Sequence, residues 1–524
     1  MATNYYESFI KKLQEIFMMD HAELDFGIYR IMNQKRADIN HFLKFELLPQ
    51  VKTALADAPD GSENEVFSHL VTFFSRYYDN GDFISKRRYK DNTYAIPYNG
   101  EEVKLHWANA DQYYIKSSEY FRDYSFVLPT SRRKVHFVLK DASTEQNNNK
   151  TANNMERRFA LYKPETEGES FYEVNGDELN IFFTYELMPK GTKQNDLMAE
   201  ALDSVKDIIP LEFSELLTVK SPTDKNANRT LLEKHLTDYT AKNSFDYFIH
   251  KDLGGFLRRE LDFYIKNEVM LLDDLDVQHI ESQLNIIKAI KLVGEKIIRM
   301  LAQLEDFQKK LWLKKKFVVQ SDYCITIDRV PRKLYPEILA NDRQREEWVR
   351  LFAIDEIKGD LTTEAYSVPL SMEFLEQNPF LVLDTTFFSK RFKHKLVASM
   401  ENVDRDCNGL LINSENFQAL NLIQEKYKGA INCAYADPPY NAKSSEILYR
   451  NSFKHSSWIS LMCDRIRLAG NLINEKGASI IAIDENEFTN LYKLLVDMYP
   501  YHNTTAISIT LIPQHFDLTL FISS

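Results

Sequence analysis

With 524 residues, 44% of them hydrophobic, the chain is long enough for about three domains with sizeable cores. Its formal charge of −12 excludes a simple, uniformly basic nucleic-acid-binding module, although phosphate contacts depend on local patches rather than on the sum. No apolar run reaches the roughly 20 residues of a membrane span, the start M-A-T-N-Y-Y-E-S-F-I-K-K lacks the marks of a signal peptide, and a cytoplasmic protein is expected.

In chain order, Phe9, Ile10, Leu13, Ile16 and Phe17 fall at helical spacing and predict an opening amphipathic helix. A second helical stretch, Ile31 to Ala56, ends at the turn cluster Ala58-Pro59-Asp60-Gly61. Phe67 to Phe137 reads as an aromatic, β-prone region in which basic residues interleave with the rings. Such a segment either packs a small β domain or forms a surface for a nucleic-acid strand, and Lys86, Arg87 and Arg88 are its expected DNA contacts. Arg132 to Lys134, Lys309 to Lys316 and Lys390 to Lys395 are further basic patches, each open to the simpler reading of a solvated face. The polar run from Asp141 to Asn154 predicts a loop, and strands are expected near Arg158 to Tyr162, Phe171 to Val174 and Leu179 to Tyr185.

From Phe245 the pattern turns helical, with His250 expected to pack or hydrogen-bond rather than to bind metal. Apolar residues then recur every three or four positions from Ile280 to Leu311. This predicts one extended helix of about seven or eight turns with a partner along its whole side, either inside the chain or across a dimer. Tyr323 to Val330 predicts a strand and Pro331 to Phe352 a charged helix. The four cysteines, Cys324, Cys407, Cys433 and Cys463, show no metal-ligand or disulfide spacing. They are expected to be reduced and buried, and no metal site is expected.

Leu381 to Asp384 and Gly409 to Ile412 read as strands, and Asn413-Ser414-Glu415-Asn416 as the cap of a helix from Phe417 to Lys426. A short apolar run from Ala430 then ends in Asp437-Pro438-Pro439-Tyr440-Asn441. Prolines lack an N–H and fix φ, so strand pairing stops there and the turn is stiff, while their carbonyls stay free to accept. An exocyclic amine of a nucleobase has two N–H bonds. The Asp437 carboxylate and the Pro438 carbonyl can accept both, leaving the nitrogen lone pair aimed at an electrophile. Tyr440 offers a flat face on which an extruded base can stack. Downstream, Lys443, Arg450 and Lys454 are available to phosphates or the target base, and Trp458, Leu461, Met462, Ile466 and Leu472 form a helix face. Ala478 to Ile483 predicts a buried strand delivering Asp484, which either lines the base pocket or caps the helix Glu487 to Met498.

D-P-P-Y-N, taken with L-V-L-D-T at Leu381 to Thr385, G-L-L-I-N-S-E-N-F-Q-A-L at Gly409 to Leu420 and S-I-I-A-I-D-E-N-E-F-T-N at Ser479 to Asn490, resembles the adenine-specific, site-specific DNA methyltransferases similar to modification subunits of type III restriction systems. Tyr77 to Tyr94 and Phe245 to Glu268 also look like stretches of large members of that group. The resemblance implies methyl transfer from S-adenosylmethionine to adenine N6 in double-stranded DNA, within restriction-modification or phage defence. A restriction or other defence subunit, and a homodimer, are the implied partners. Asp437, Pro438, Pro439 and Tyr440 would be catalytic. Asp437 with Ser414, Glu415 and Asn416 would lie at the cofactor, the family usually having Gly-Asp where this chain has Ser414-Glu415. Asn441, Lys443 and Asp484 would meet the substrate.

The implied fold is α/β: a partial doubly wound, Rossmann-like methyltransferase sheet at residues 371–524, preceded by an α+β region at 1–240 and a long-helical region at 241–370. Where D-P-P-Y comes first in this family, F-x-G-x-G should follow, yet after Tyr440 only Gly470 and Gly477 occur and no G-x-G exists. The expectation is therefore a reading frame that ends early, near Thr510, with most of the cofactor-binding half absent. Two other readings stay open: an N4-cytosine or RNA amine methyltransferase, and a catalytically silent fragment serving as a DNA- or partner-binding module.

Overall fold

A computed structural model describes residues 5–19, 23–25, 27–56, 59, 61–79, 82–83, 89–90, 93–94, 107, 109–115, 123–142, 155–164, 169–189, 191–223, 226–243, 247–270, 280–360, 362–441, 454–511 and 516–523. The chain divides into two compact units, Met1–Lys314 with Glu415–Ser524, and Lys315–Ser414. The class is mixed α/β.

The first unit opens as its spacing predicts, with a helix at Tyr5–Ile16 that buries Phe9, Leu13 and Ile16. Gly27–His41 follows, running through a π-turn at Phe42–Glu46 into Leu47–Ala54. The aromatic region expected to be β-prone from Phe67 instead begins in a 16-residue helix, Ser62–Tyr77. Its start is set by Gly61, whose φ of 97° suits a residue without Cβ. Val66, Phe67, Leu70, Phe73, Phe74 and Tyr77 recur every three or four residues and are all buried, so the period of burial outweighs the β preference of aromatic side chains.

The predicted long helix is Ile280–Leu313, 34 residues. Its partner lies within the chain: Ile290, Val293, Ile297 and Leu301 share a core with Phe9, Phe67, Leu70, Phe74, Leu257 and Leu261. Each such side chain contributes about 1.5–3 kcal/mol on burial. Gly294 allows the close approach, because a Cβ there would stand 2.8 Å from Leu261 Cδ2.

A five-stranded sheet follows the order Asp123–Val127, Lys134–Ala142, Glu178–Pro189, Met155–Leu161, with Tyr172–Asn175 also on Glu178–Pro189. The Lys134–Ala142 and Glu178–Pro189 strands are parallel, the other pairs antiparallel. Phe126, Phe137, Phe159 and Phe183 pack beneath Gln194–Lys206 and Leu231–Asn243, around Tyr239. Gln112–Ile115 pairs instead with Tyr247–His250, and His250 is buried among Phe83 and Phe256.

At the C-terminal end of this unit a sheet has the order Ile431–Ala436, Ile473–Ile483, Phe516–Ser523, Thr504–Leu511. Only its first pair is parallel, with Ala436 opposite Ile481; the rest is antiparallel. The helices Asn416–Tyr427, Lys454–Gly470 and Phe488–Met498 alternate with these strands in sequence. Trp458, Met462, Ile481, Ile483, Leu491 and Leu494 form a core to which Tyr114 belongs.

The second unit pairs Cys324–Thr326 with Val382–Asp384, antiparallel. The strand expected at Leu381 to Asp384 thus belongs to this ribbon. Trp348, Phe374, Leu383 and Phe392 build its core, and Trp348 Nε1 donates to Val382 O at 2.6 Å. The helix expected from Pro331 is broken at Asn341, whose side chain caps Asp342–Phe352. Gly409 to Ile412 is not a strand: no ladder forms there, and Leu411 is 97% exposed. The cysteines also depart from expectation, since Cys324, Cys407 and Cys433 are exposed and Cys463 alone is buried.

Candidate functional site

The strand Ile431–Ala436 leaves its sheet at Asp437, where two prolines end the pairing. Its parallel neighbour Ile473–Ile483 ends at Asp484, so two acids emerge at the carboxyl ends of adjacent parallel strands. That is where open α/β sheets bind ligands.

Asp437 is exposed and accepts one hydrogen bond, from Tyr440 Oη to its Oδ1 at 2.8 Å. Burial, then that hydrogen bond and the Asp437 charge, push the Tyr440 phenol well above its ordinary pKa, so the hydroxyl stays protonated and donates. Trp458 Nε1 donates to the Pro439 carbonyl at 2.7 Å from a fully buried indole. Among the described residues nothing donates to the Pro438 carbonyl. Among the described residues the turn therefore carries a carboxylate, a carbonyl one residue on that receives no donor, and a partly buried aromatic ring.

Asn441 has a φ of 61° and is 2% exposed. Its Nδ2 donates to Glu487 Oε1 at 2.5 Å. A substrate contact is expected of Asn441; its side chain is buried and its amide nitrogen meets Glu487. Asp484 was expected to line the base pocket or to cap a helix. It caps no helix: both its oxygens accept from Asn486, and the helix Phe488–Met498 starts after Glu487.

Glu415 is the N-cap of Asn416–Tyr427, accepting from Gln418 N at 2.9 Å. It also forms a largely buried ion pair with Arg465. Arg465 and Trp458 are seven residues apart on Lys454–Gly470, hence on one helix face about 10.5 Å apart. One helix thus holds both the D-P-P-Y turn and the Glu415 cap. Asn416 is exposed, as is Ser414 in the second unit.

Lys86, Arg87, Arg88 and Lys443 lie outside the described residues. In the other basic patches, Arg133 pairs with Asp177, Lys134 with Asp25, Lys309 with Asp306, Lys393 with Asp322 and Lys395 with Glu337. Among the described residues no cluster of His, Cys, Asp or Glu could hold a metal ion, and no helix is long and apolar enough to cross a membrane.

Sequence reasoning missed Glu487 and the anchoring role of Trp458. Glu487 is fully buried and meets Asn441, His455 and Asn490. A third acid within four residues, after Asp484 and Glu485, gives no signal of its burial.

No protein-family profile matches the chain. Part of it is similar to curated proteins: 31% identical over 94 residues to the probable type III restriction-modification enzyme HindVI Mod subunit of Haemophilus influenzae, covering 18% of this chain and 13% of that one. The likeness is to type III Mod subunits. The StyLTI Mod subunit of Salmonella typhimurium is 28% identical over 133 residues, 20% of each chain. The EcoP15I Mod subunit of Escherichia coli is 25% identical over 129 residues, 19% of this chain and 20% of that one. The matched stretches thus span a fifth or less of these Mod subunits.

Proposed function

We propose that this chain carries the acceptor side of an S-adenosylmethionine-dependent DNA methyltransferase that modifies adenine N6 in a specific sequence, as part of a restriction-modification or phage-defence system. The observation that carries this reading is the Asp437 carboxylate and, beside Tyr440, the Pro438 carbonyl that no described residue engages, at the carboxyl end of a parallel strand. The partial similarity to type III Mod subunits supports it, and double-stranded DNA and a restriction subunit are the partners it implies.

Adenine N6 donates one N–H to Asp437 and the other to the Pro438 carbonyl, which turns its lone pair outward. Tyr440 stacks on the base, taken out of the duplex to reach this turn. The Asp437 oxygen that does not meet Tyr440 is free to receive the proton the alkylated nitrogen must lose. S-adenosylmethionine supplies an electrophilic methyl group. Of the residues expected near it, Asp437 and the exposed Asn416 fit a polar ligand; Glu415 does not, because Gln418 and Arg465 already engage its carboxylate. Its part is to orient the helix that begins with Asn416.

Calorimetry of S-adenosylmethionine on the purified chain, followed by methyl transfer to duplex DNA, tests the reading. Micromolar binding and transfer that Asp437→Ala abolishes are expected. Transfer retained by Asp437→Ala overturns it, and absence of cofactor binding by the folded chain favours a silent DNA- or partner-binding fragment.

A further inference from the structure

Tyr440 is held from both sides by side chains remote in sequence. The carbonyl of the preceding residue, Pro439, receives Trp458 Nε1 at 2.7 Å. The following residue, Asn441, gives its Nδ2 to Glu487 Oε1 at 2.5 Å. Asn441 sits in the left-handed region at φ 61°, a conformation that Asn tolerates better than most residues but that still needs support. A flip of the amide would set Asn441 Oδ1 against a carboxylate oxygen, so the bond fixes the direction of the side chain.

The same Glu487 oxygen lies 2.7 Å from His455 Nδ1, and the other accepts from Asn490 Nδ2 at 2.7 Å. A fully buried carboxylate is costly unless its lone pairs are satisfied. Here three side chains satisfy them, and two of these, Asn441 and His455, stand fourteen positions apart on either side of residues 442–454. Nothing in the acceptor geometry of Asp437 and Pro438 uses this carboxylate. Among the described residues its side-chain hydrogen bonds run to the residue after Tyr440, to the start of the helix bearing Trp458, and to its own helix.

We propose that Glu487 is a positioning residue: through Asn441 it locks the turn after Tyr440, and with Trp458 it holds the aromatic ring and the Pro438 carbonyl in register for the acceptor amine. This rests on the amine methyl-transfer reading and deepens it. Glu487 itself touches neither base nor cofactor. A misplacement of about 1 Å at a reacting centre costs on the order of 100-fold in rate, which sets the size of effect to look for.

The test uses the full chain with Glu487→Ala, Glu487→Gln and Asn441→Gly, the last keeping the left-handed backbone while removing the clamp. In steady-state methyl transfer to duplex DNA, kcat should fall about 100-fold in Glu487→Ala and Asn441→Gly with KM for DNA and cofactor nearly unchanged. Glu487→Gln, which retains an acceptor for Asn441, should recover part of the loss, and the Glu487→Ala/Asn441→Gly double variant should be no worse than either single one. Hydrogen exchange should quicken at the amides of Tyr440 and Asn441 in Glu487→Ala and stay unchanged in the strand Ile473–Ile483. Wild-type activity with kcat of the variants within about threefold, or a fall in KM terms alone, overturns the proposal. If the wild type transfers no methyl group, the functional reading fails by itself, and exchange decides the clamp: unchanged protection at Tyr440 and Asn441 overturns it, faster exchange there supports it.

Discussion

Two acids at the ends of neighbouring elements look alike in sequence and differ in what surrounds them. Glu415, ahead of a helix, is 8% exposed and engaged by a backbone N–H and the Arg465 guanidinium. Asp437, past a strand, is exposed, holds one hydrogen bond among the described residues, and stands beside a carbonyl with no described donor. Satisfied valence marks the first as scaffold. The second, open to solvent at the carboxyl end of a parallel strand, is the one proposed above to receive a ligand.

The largest effect that can break this comparison is at Asp437. Asp437→Ala should remove measurable methyl transfer while leaving the melting temperature unchanged, because an exposed carboxylate with one hydrogen bond contributes little to stability. A drop of several degrees would class Asp437 with Glu415.

The converse variant, Arg465→Met, strands the Glu415 carboxylate in a largely buried setting. A loss of about 3 kcal/mol in urea unfolding is expected. Unchanged stability would mean that the pair is solvated and that Glu415 is open to a ligand after all.

Glu305 offers a carboxylate of a third kind, engaged by the His250 backbone N–H at 2.5 Å and near Asp306 and Lys309. Burial raises its pKa to about 7. The folded state therefore holds a proton that the unfolded state releases near its ordinary value of 4.5, so this group's contribution falls as pH rises from there through about 7. Neighbouring His250 is depressed to about 4 by burial and acts oppositely, losing stability as pH falls through the interval below its ordinary 6.5. Relative to wild type, Glu305→Gln should gain stability with rising pH, by up to about 3 kcal/mol at pH 8. Parallel curves for the two proteins would show that Glu305 is solvated.

The smallest effect belongs to Tyr440→Phe. It removes only the hydroxyl on Asp437, so stability should move by less than about 1 kcal/mol and transfer should persist, whereas Tyr440→Ala should lose the stacking face. Equal loss in both would assign the hydroxyl a chemical part.

The comparison also explains what was legible in the sequence. Period was legible: Phe9, Leu13 and Ile16 became a helix with the expected buried face, and the stripe from Ile280 became one long helix, buried through its middle but not along its whole side, since Ile280, Leu284, Phe307 and Leu311 at its two ends are exposed. The D-P-P-Y turn was legible because proline chemistry is local. Phe67 to Tyr77 departs from the β-prone expectation because its period of burial outweighs its aromatic composition. Gly409 to Ile412 departs from the expected strand because an apolar run makes a strand only with a partner strand, which no local rule supplies. Glu487 was invisible because its burial is created by Asn441 and His455, 46 and 32 positions away. The expected doubly wound sheet met a sheet with one parallel pair and an antiparallel hairpin.

Trp107 Nε1 donates to Ser460 Oγ, Asn109 N to Ser456 Oγ, and Lys251 Nζ to Asp464, joining residues up to 353 positions apart. Tyr114 sits in the same cluster as Trp458 and Met462. During synthesis the strand Gln112–Ile115 therefore emerges hundreds of residues before the helix it must cover, and its apolar face waits for it. Contacts of such separation form late. A C-terminal piece made alone would present the helix Lys454–Gly470 with one wall missing, and should need chaperones or aggregate where the intact chain folds.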